Sequence, residues 1–252
     1  MLHFDDIVFG PIVSRRLGSS LGVNILPLKG KLCNFDCVYC ECGWNKDGLE
    51  DKTFPSYAEV ETALCAKIEL LSDDGVKVDS ITFSGNGEPT MHPDFEKIVE
   101  LTLSLRDRYY PDAKVSVLSN AVLSGRESVI RALMKVDNPI MKIDAGCDSL
   151  IQKMNRPVCA YDLEEVVRNL KRFEGDFILQ TMFLKAESFD LVSSEALSRW
   201  MEIVRELEPR EVMVYTIDRE TPDKSLARYT VEEMKALVQP LLDEGFNIQI
   251  RG

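Results

Sequence analysis

The chain has 252 residues, 45% of them hydrophobic and 29% charged, and a net charge of −12. That is ordinary globular composition, and no apolar run approaches the roughly 18 residues of a membrane-spanning helix. The acidic balance weighs against a nucleic-acid partner, because such binders draw most of their affinity from Lys and Arg set against phosphates. Residues 1–10 carry Asp5 and Asp6 and no basic cluster, unlike a signal peptide. The cysteine count is odd, at seven. This argues for a reducing cytoplasm over a disulfide framework.

Residues 9–31 read FGPIVSRRLGSSLGVNILPLKGK. Gly10 and Pro11 predict a loop ahead of Arg15 and Arg16. That pair suits either a carboxylate or phosphate clamp, or a solvated salt-bridged pair. Residues 21–28 have strand character and run into Cys33-Asn34-Phe35-Asp36-Cys37-Val38-Tyr39-Cys40. Here three cysteines stand at C-x3-C-x2-C with an aromatic residue before the third. Cysteine thiolates hold iron–sulfur clusters, and three of them leave one iron of a four-iron cube without a protein ligand. A zinc knob is the alternative, but no C-x2-C or H-x3-H partner follows at zinc-finger spacing.

The remaining elements alternate. Ser56 to Glu59 forms a capping box, and Val60, Leu64, Ile68 and Leu71 keep helical spacing behind it. Residues 80–84 (SITFS) read as a buried strand ending in Gly85-Asn86-Gly87-Glu88-Pro89-Thr90. A helix is expected over 94–108, a strand over 114–118 and a helix over 126–135. Strand 140–144 (IMKID), helix 162–173 and strand 177–183 (FILQTMF) come next. Ser194, Leu197, Met201, Val204 and Leu207 mark another helix. Strand 211–216, a capping box at Thr230 to Glu233 with its helix, and a short final strand over 247–250 complete the chain. Six strands alternating with helices imply parallel pairing through crossovers. The count is short of the eight of a closed barrel, leaving an open doubly wound sheet or a partial barrel.

The cysteine loop resembles that of the radical S-adenosylmethionine (radical SAM) enzymes, whose signature is C-x3-C-x-aromatic-C. The resemblance implies an α/β fold, a (β/α)6 partial TIM barrel, and one radical SAM domain over 1–252. It implies that Cys33, Cys37 and Cys40 hold a [4Fe–4S] cluster whose open iron takes SAM, with Tyr39 beside it. Gly85, Asn86, Gly87, Glu88 and Pro89 lie where the family has its G-G-E-P motif for the SAM amino group, with Asn86 replacing a glycine. Ser119 and Asn120 sit where family members bind the SAM ribose or carboxylate. The phrases FGPIVSRRLGSSLGVNILPLKG and FSGNGEPTMHPDF look closest to wybutosine-synthesis-related radical SAM proteins. The tRNA-modifying member of that group places a second cluster's cysteines before the SAM motif, and no cysteine precedes Cys33 here.

Other polar residues are read from their placement. Lys142 and Asp144 alternate with Met141 and Ile143, so both fall on one face of a strand. Buried there, they must pair or meet a ligand; SAM or substrate is the preferred partner. Gln180 and Thr181 interrupt an apolar strand, and whichever points into the barrel needs a hydrogen-bond partner. Tyr215 and Asp218 stand at the end of the sixth strand, where adenine or substrate would lie. Cys147 follows the fourth strand, as a hydrogen-atom donor at the rim or as loop packing. Cys42 is expected to be a bystander, Cys65 core, and His92 a turn residue.

The reading is therefore a cytoplasmic enzyme that cleaves SAM reductively and acts on a small-molecule or peptide substrate, with reduced flavodoxin or ferredoxin as electron donor. A tRNA substrate is disfavoured by charge, and no membrane is involved. Glycyl-radical activation of another enzyme and a non-enzymatic iron–sulfur electron carrier are the remaining alternatives.

Overall fold

The computed structural model describes residues 3–14, 16–48 and 51–252. Arg15 of the arginine pair therefore lies outside the described residues. Strands β1 (Val8–Ser14) and β2 (Gly18–Val23) form an antiparallel hairpin. Helix α1 (Tyr57–Asp73), strand β3 (Ser80–Phe83), helix α2 (Phe95–Tyr109), strand β4 (Lys114–Ser119), helix α3 (Glu127–Leu133) and strand β5 (Asn138–Lys142) follow. Then come helices α4 (Asp148–Met154) and α5 (Leu163–Leu170), strands β6 (Ile178–Met182) and β7 (Leu184–Lys185), and helix α6 (Ser194–Leu207). Strands β8 (Glu211–Tyr215) and β9 (Ala227–Arg228), helix α7 (Val231–Asp243) and strand β10 (Ile248–Arg251) close the chain.

The main sheet runs β1-β2-β3-β4-β5-β6-β8-β10, parallel throughout except for the β1–β2 pair. It curls into the half-barrel expected of a partial TIM fold. The six expected strands are β2, β3, β4, β5, β6 and β8, and β10 is the short final one. Both capping boxes are present, Ser56 with Glu59 and Thr230 with Glu233. The helical stripes read from spacing are the buried ones: Val60, Leu64, Ile68 and Leu71 on α1, and Phe95, Ile98, Val99 and Leu105 on α2. They pack on the outer face of the sheet, where one large apolar cluster holds most of the core.

The inner face is built in layers. At its lower end Ser20 Oγ meets Thr82 Oγ1 at 2.7 Å, and Ser80 Oγ meets Ser116 Oγ at 3.0 Å. Asn138 Nδ2 donates to Ser116 Oγ at 3.1 Å, so these buried hydroxyls satisfy one another. Above them Ile140, Ile178 and Met213 form a small separate apolar cluster with Leu17 and Leu118. Two residues further along their strands, on the same face, come Lys142, Gln180 and Tyr215. The polar mouth of the barrel thus stands on a dry floor, and the β1–β2 turn supplies part of that floor.

Two expectations are corrected. The segment around Gly10-Pro11 is a strand, β1, with its register shifting between Phe9 and Ile12. The strand expected over 21–28 begins earlier and stops at Val23. There the side chain of Asn24 accepts from Leu26 N–H and Asn86 N–H and takes the chain out of the ladder.

Candidate functional site

The loop after β2 is anchored before it reaches the first cysteine. Leu32 pairs with Gly87: Leu32 N–H donates to Asn86 O at 2.8 Å, and Glu88 N–H donates to Leu32 O at 3.1 Å. Gly87 has φ +139°, and a Cβ there would sit 1.8 Å from Leu32 O. Its glycine is required by this approach of the protein's own backbone. Past Leu32 the loop is pinned again. Asp36 N–H donates to Asn155 O at 2.9 Å, Val38 N–H to Met154 O at 2.9 Å, and Asn45 Nδ2 to the carbonyls of Cys33 and Phe35.

Cys33, Cys37 and Cys40 are free thiols, half-buried, and line one cavity of about 250 Å3. Burial pushes the Cys33 and Cys37 thiols up, Cys37 to about 11. The Cys40 thiol is lowered to about 6, first by a hydrogen bond from Cys42, with burial opposing and the Lys31 ammonium assisting. Lys31 is 5% exposed and donates to Gly43 O at 2.7 Å. Burial works against its charge, but the thiols of Cys40, Cys33 and Cys37 and the Asp36 carboxylate outweigh it and raise its pKa. A buried cation placed among three thiols is what a thiolate set requires. Among the described residues no three His, Cys, Asp or Glu side chains converge as the ligands of a single ion do. A cube needs no such point, since each thiolate sits on its own iron.

The opposite walls of the cavity come from strand ends. Gly85, Gly87 and Glu88 follow β3, Ser119 and Asn120 end β4, and Lys142, Gln180 and Tyr215 come from β5, β6 and β8. Glu88 is 3% exposed, and burial raises its carboxyl. Both its oxygens are held, one by Thr90 N–H, Thr90 Oγ1 and Ser119 Oγ, the other by Asn120 N–H at 2.7 Å. Asn120 Nδ2 donates to Asn34 Oδ1 at 2.5 Å and lies 3.8 Å from Cys33 Sγ. Glu88, Ser119 and Asn120 are thus one rigid unit fixed to the cysteine loop. Tyr39 lines the cavity too, and its hydroxyl donates to Asp144 Oδ2. Lys142 Nζ donates to Tyr215 OH at 2.7 Å and lies 3.9 Å from Asp144 Oδ2. Burial opposes that ammonium, but Asp144 and Tyr215 outweigh burial and raise it.

Several expected residues do other work. Asn86 is fully buried, with its amide donating to Phe4 O and Pro27 O and its Oδ1 accepting from Phe4 N–H. It staples the N-terminal segment and does not line the cavity. Pro89 is buried in a 3-10 turn, also outside the lining. Asp144 stands behind the wall, 1% exposed, accepting from Tyr39, from Asn155 Nδ2 at 2.6 Å and from Met182 N–H at 2.8 Å. Cys147 does not line the cavity; it precedes α4 at the N-cap position, with Ser149 Oγ 3.3 Å from its sulfur. Just before it, Gly146 packs closely on α6, where a Cβ would fall 2.4 Å from Trp200 N. Cys42, expected to be a bystander to the cluster, has its sulfur 3.4 Å from Gly85 O. His92 is the turn residue expected, with Nε2 on Pro55 O and Nδ1 accepting from Asp94 N–H. Asp218 lines a separate surface cavity with Arg219 and Arg228. Thr181 faces outward to Ile143 O and Trp200 Nε1, leaving Gln180 as the inward residue.

Two residues escaped the sequence reading. Lys31 stands two places before the first cysteine, with Lys29 two places before it. Asn155, 1% exposed, reaches Cys37 Sγ at 3.4 Å, Tyr39 OH at 3.1 Å and Asp144. A basic residue so near a thiolate motif was a usable signal for Lys31. Nothing in the sequence marks Asn155, which lies 118 residues from Cys37.

The radical SAM superfamily model matches residues 29–196, a span holding the cysteine loop and the ends of β3 to β6 that face it. The chain belongs to the radical SAM superfamily. Members are enzymes that use a [4Fe–4S] cluster and S-adenosylmethionine, and the three free thiols with their buried lysine fit that cluster. The radical SAM chain is 31% identical over 232 residues to a UPF0026 protein of Methanocaldococcus jannaschii, covering 90% of this chain and 68% of that one. In fold it is similar to a radical SAM methyltransferase from Sphaerobacter thermophilus, with TM-score 0.67 and 16% identity over 92% of this chain and 65% of that one. It is also similar to an archaeal TYW1, with TM-score 0.54 and 11% identity over 90% and 72%. The chain therefore spans about two thirds of the length of these proteins. No helix among the described residues is long and apolar enough to cross a membrane.

Proposed function

We propose that this radical SAM enzyme holds its cluster through Cys33, Cys37 and Cys40, binds SAM in the adjoining cavity, and acts on a small-molecule or peptide substrate in one domain. The observation that carries this is the convergence of the three free thiols, the Glu88–Ser119–Asn120 unit and the Lys142–Tyr215 pair on one cavity. Together the cluster and SAM supply reductive cleavage of the sulfonium, giving methionine and a 5′-deoxyadenosyl radical. The protein's part is to bind, orient and exclude water.

Lys31 offsets the charge of the thiolates from beneath the loop. Glu88, its oxygens already fixed, presents a preorganised acceptor at the cavity wall, which suits the SAM amino group. Ser119 and Asn120 present polar atoms beside it. Phe35, Leu118 and Met182 supply apolar wall, so charges inside the cavity act at low effective dielectric. Tyr39 is held by Asp144 and Asn155, which fixes the loop between Cys37 and Cys40. A reduced flavodoxin or ferredoxin is the proposed electron donor.

The likeness of the residue 9–30 and 83–95 phrases to wybutosine-related proteins is the support for a tRNA nucleoside as substrate. Charge favours the small substrate. The chain carries −12, and many basic side chains are paired: Arg131 with Glu96, Lys135 with Glu100, Lys171 with Glu206, Arg205 with Glu244. A footprint of roughly 6–10 phosphates would need its Lys and Arg gathered on one surface.

The test is anaerobic reconstitution followed by SAM titration of the reduced cluster, read by electron paramagnetic resonance. A shifted signal on adding SAM is expected. A four-iron signal indifferent to SAM would support an electron carrier instead.

A further inference from the structure

The inner-face residues include two buried donors that the SAM reading leaves without a role. Arg16 stands in the β1–β2 turn, directly before Leu17, which packs on the floor of Ile140, Ile178 and Met213. Its guanidinium lies over the Tyr215 ring, 4.8 Å from the centroid, and it lines the same cavity as the cysteines. Its Nη1 is buried and has no hydrogen-bond partner among the described residues. Gln180, 4% exposed, also lines the cavity, and its Nε2 is buried without a partner. The amide orientation follows from its neighbours. Lys142 donates to Tyr215 OH, so that hydroxyl is free to donate to Gln180 Oε1, 3.5 Å away, leaving Nε2 unused. Lys142 Nζ lies 5.3 Å from the Tyr215 centroid, so Arg16 and Lys142 both flank one ring.

Leaving a buried donor unpaired is costly, and two of them lining one cavity, one on the Arg16 cation with the Lys142 cation nearby, call for a ligand that accepts hydrogen bonds and carries negative charge. A carboxylate or phosphate does both, and a guanidinium meets either in bidentate fashion. We infer that Arg16, Gln180 and the Lys142–Tyr215 pair form an oxyanion subsite for the substrate, across the cavity from Glu88, Ser119 and Asn120. The substrate class is thus a small molecule or peptide bearing a carboxylate or phosphate, anchored from the barrel floor with its remainder toward the cysteines. The β1–β2 hairpin is then a specificity element, because Arg16 enters the barrel only through its turn.

This rests on the proposed SAM reading for where substrate lies, but the two fail separately. The experiment is calorimetric titration of cluster-loaded protein with acetate and with inorganic phosphate, each with and without saturating SAM. Millimolar binding of one anion, unchanged by SAM, is expected, and the tighter of the two identifies the group. Arg16→Met should weaken it at least about tenfold, Arg16→Lys less, and Gln180→Leu by an intermediate factor, with iron content as the check on folding. No binding of either anion, binding equal in Arg16→Met, or competition between anion and SAM would each overturn the inference. The last would assign Arg16 to the SAM carboxylate. Loss of SAM cleavage with anion binding intact would instead sink the functional proposal and leave the subsite standing.

Discussion

Replacing Gly87 by alanine tests how the cysteine loop is held. The added Cβ would lie 1.8 Å from Leu32 O and 2.5 Å from Leu32 C, both backbone atoms. Backbone cannot swing aside as a side-chain tip does, so the Leu32–Gly87 bridge must open. That forfeits the bonds from Leu32 N–H and to Leu32 O, about 0.5–1.5 kcal/mol each. The backbone at φ +139° adds a strain of about 1–2 kcal/mol for any residue with a Cβ. The sum is a loss of about 2–5 kcal/mol. Gly75 is the control: it has φ +65° and nothing within 4 Å of its Cβ position. Gly75→Ala should therefore cost only the conformational part, about 1 kcal/mol. The assay is urea unfolding of the cluster-free protein, with iron content after reconstitution measured in parallel. If Gly87→Ala matched Gly75→Ala in midpoint and loaded iron normally, the bridge would not be what positions the loop.

Asp144→Ala should be severe for a different reason: it strands the Lys142 ammonium and leaves Tyr39 OH, Asn155 Nδ2 and Met182 N–H without their acceptor. A loss of about 3–5 kcal/mol is expected, read by denaturant midpoint. His92 is buried as the neutral ring, its pKa lowered chiefly by burial. A lowered folded pKa means the stabilisation is full above the unfolded value of about 6.5 and is lost as pH falls below it. Melting temperatures of wild type and His92→Gln should therefore converge on acidification from neutral pH, and parallel curves would remove His92 from the account. Bulk tRNA should bind weakly at physiological salt. Submicromolar binding there would restore a tRNA substrate to first place.

The cysteine loop was legible because its chemistry is local: three thiols and an aromatic within eight consecutive positions. The helices were legible because Ser56 and Thr230 cap them and their apolar stripes recur at helical spacing. Strand β1 was not, because Gly10-Pro11 carries turn signals and its pairing with β2 depends on tertiary context. Strand alternation put Lys142 and Asp144 on one face and left a ligand or a mutual ion pair open; the bond of Asp144 to Tyr39 joins positions 105 residues apart and is not readable from spacing. Asn86 was read as a ligand contact from its place in a motif. Its side chain proved to be spent on Phe4 and Pro27, which spacing does not disclose. Cys147 was left between hydrogen-atom donor and loop packing. Its rim position follows from strand order, but strand order does not disclose that it stays out of the cavity lining.

The central claim is that Cys33, Cys37 and Cys40 hold a cluster at which SAM is cleaved. It is tested most directly by incubating reduced, anaerobically reconstituted protein with SAM and quantifying 5′-deoxyadenosine and methionine. Wild type should release both in equal amounts, slowly even without substrate. Cys33→Ala, Cys37→Ala and Cys40→Ala should release neither, while Cys65→Ala behaves as wild type. Intact SAM after wild-type incubation with every reductant tried, or 5′-deoxyadenosine from any of the three loop variants at the wild-type rate, would contradict the account.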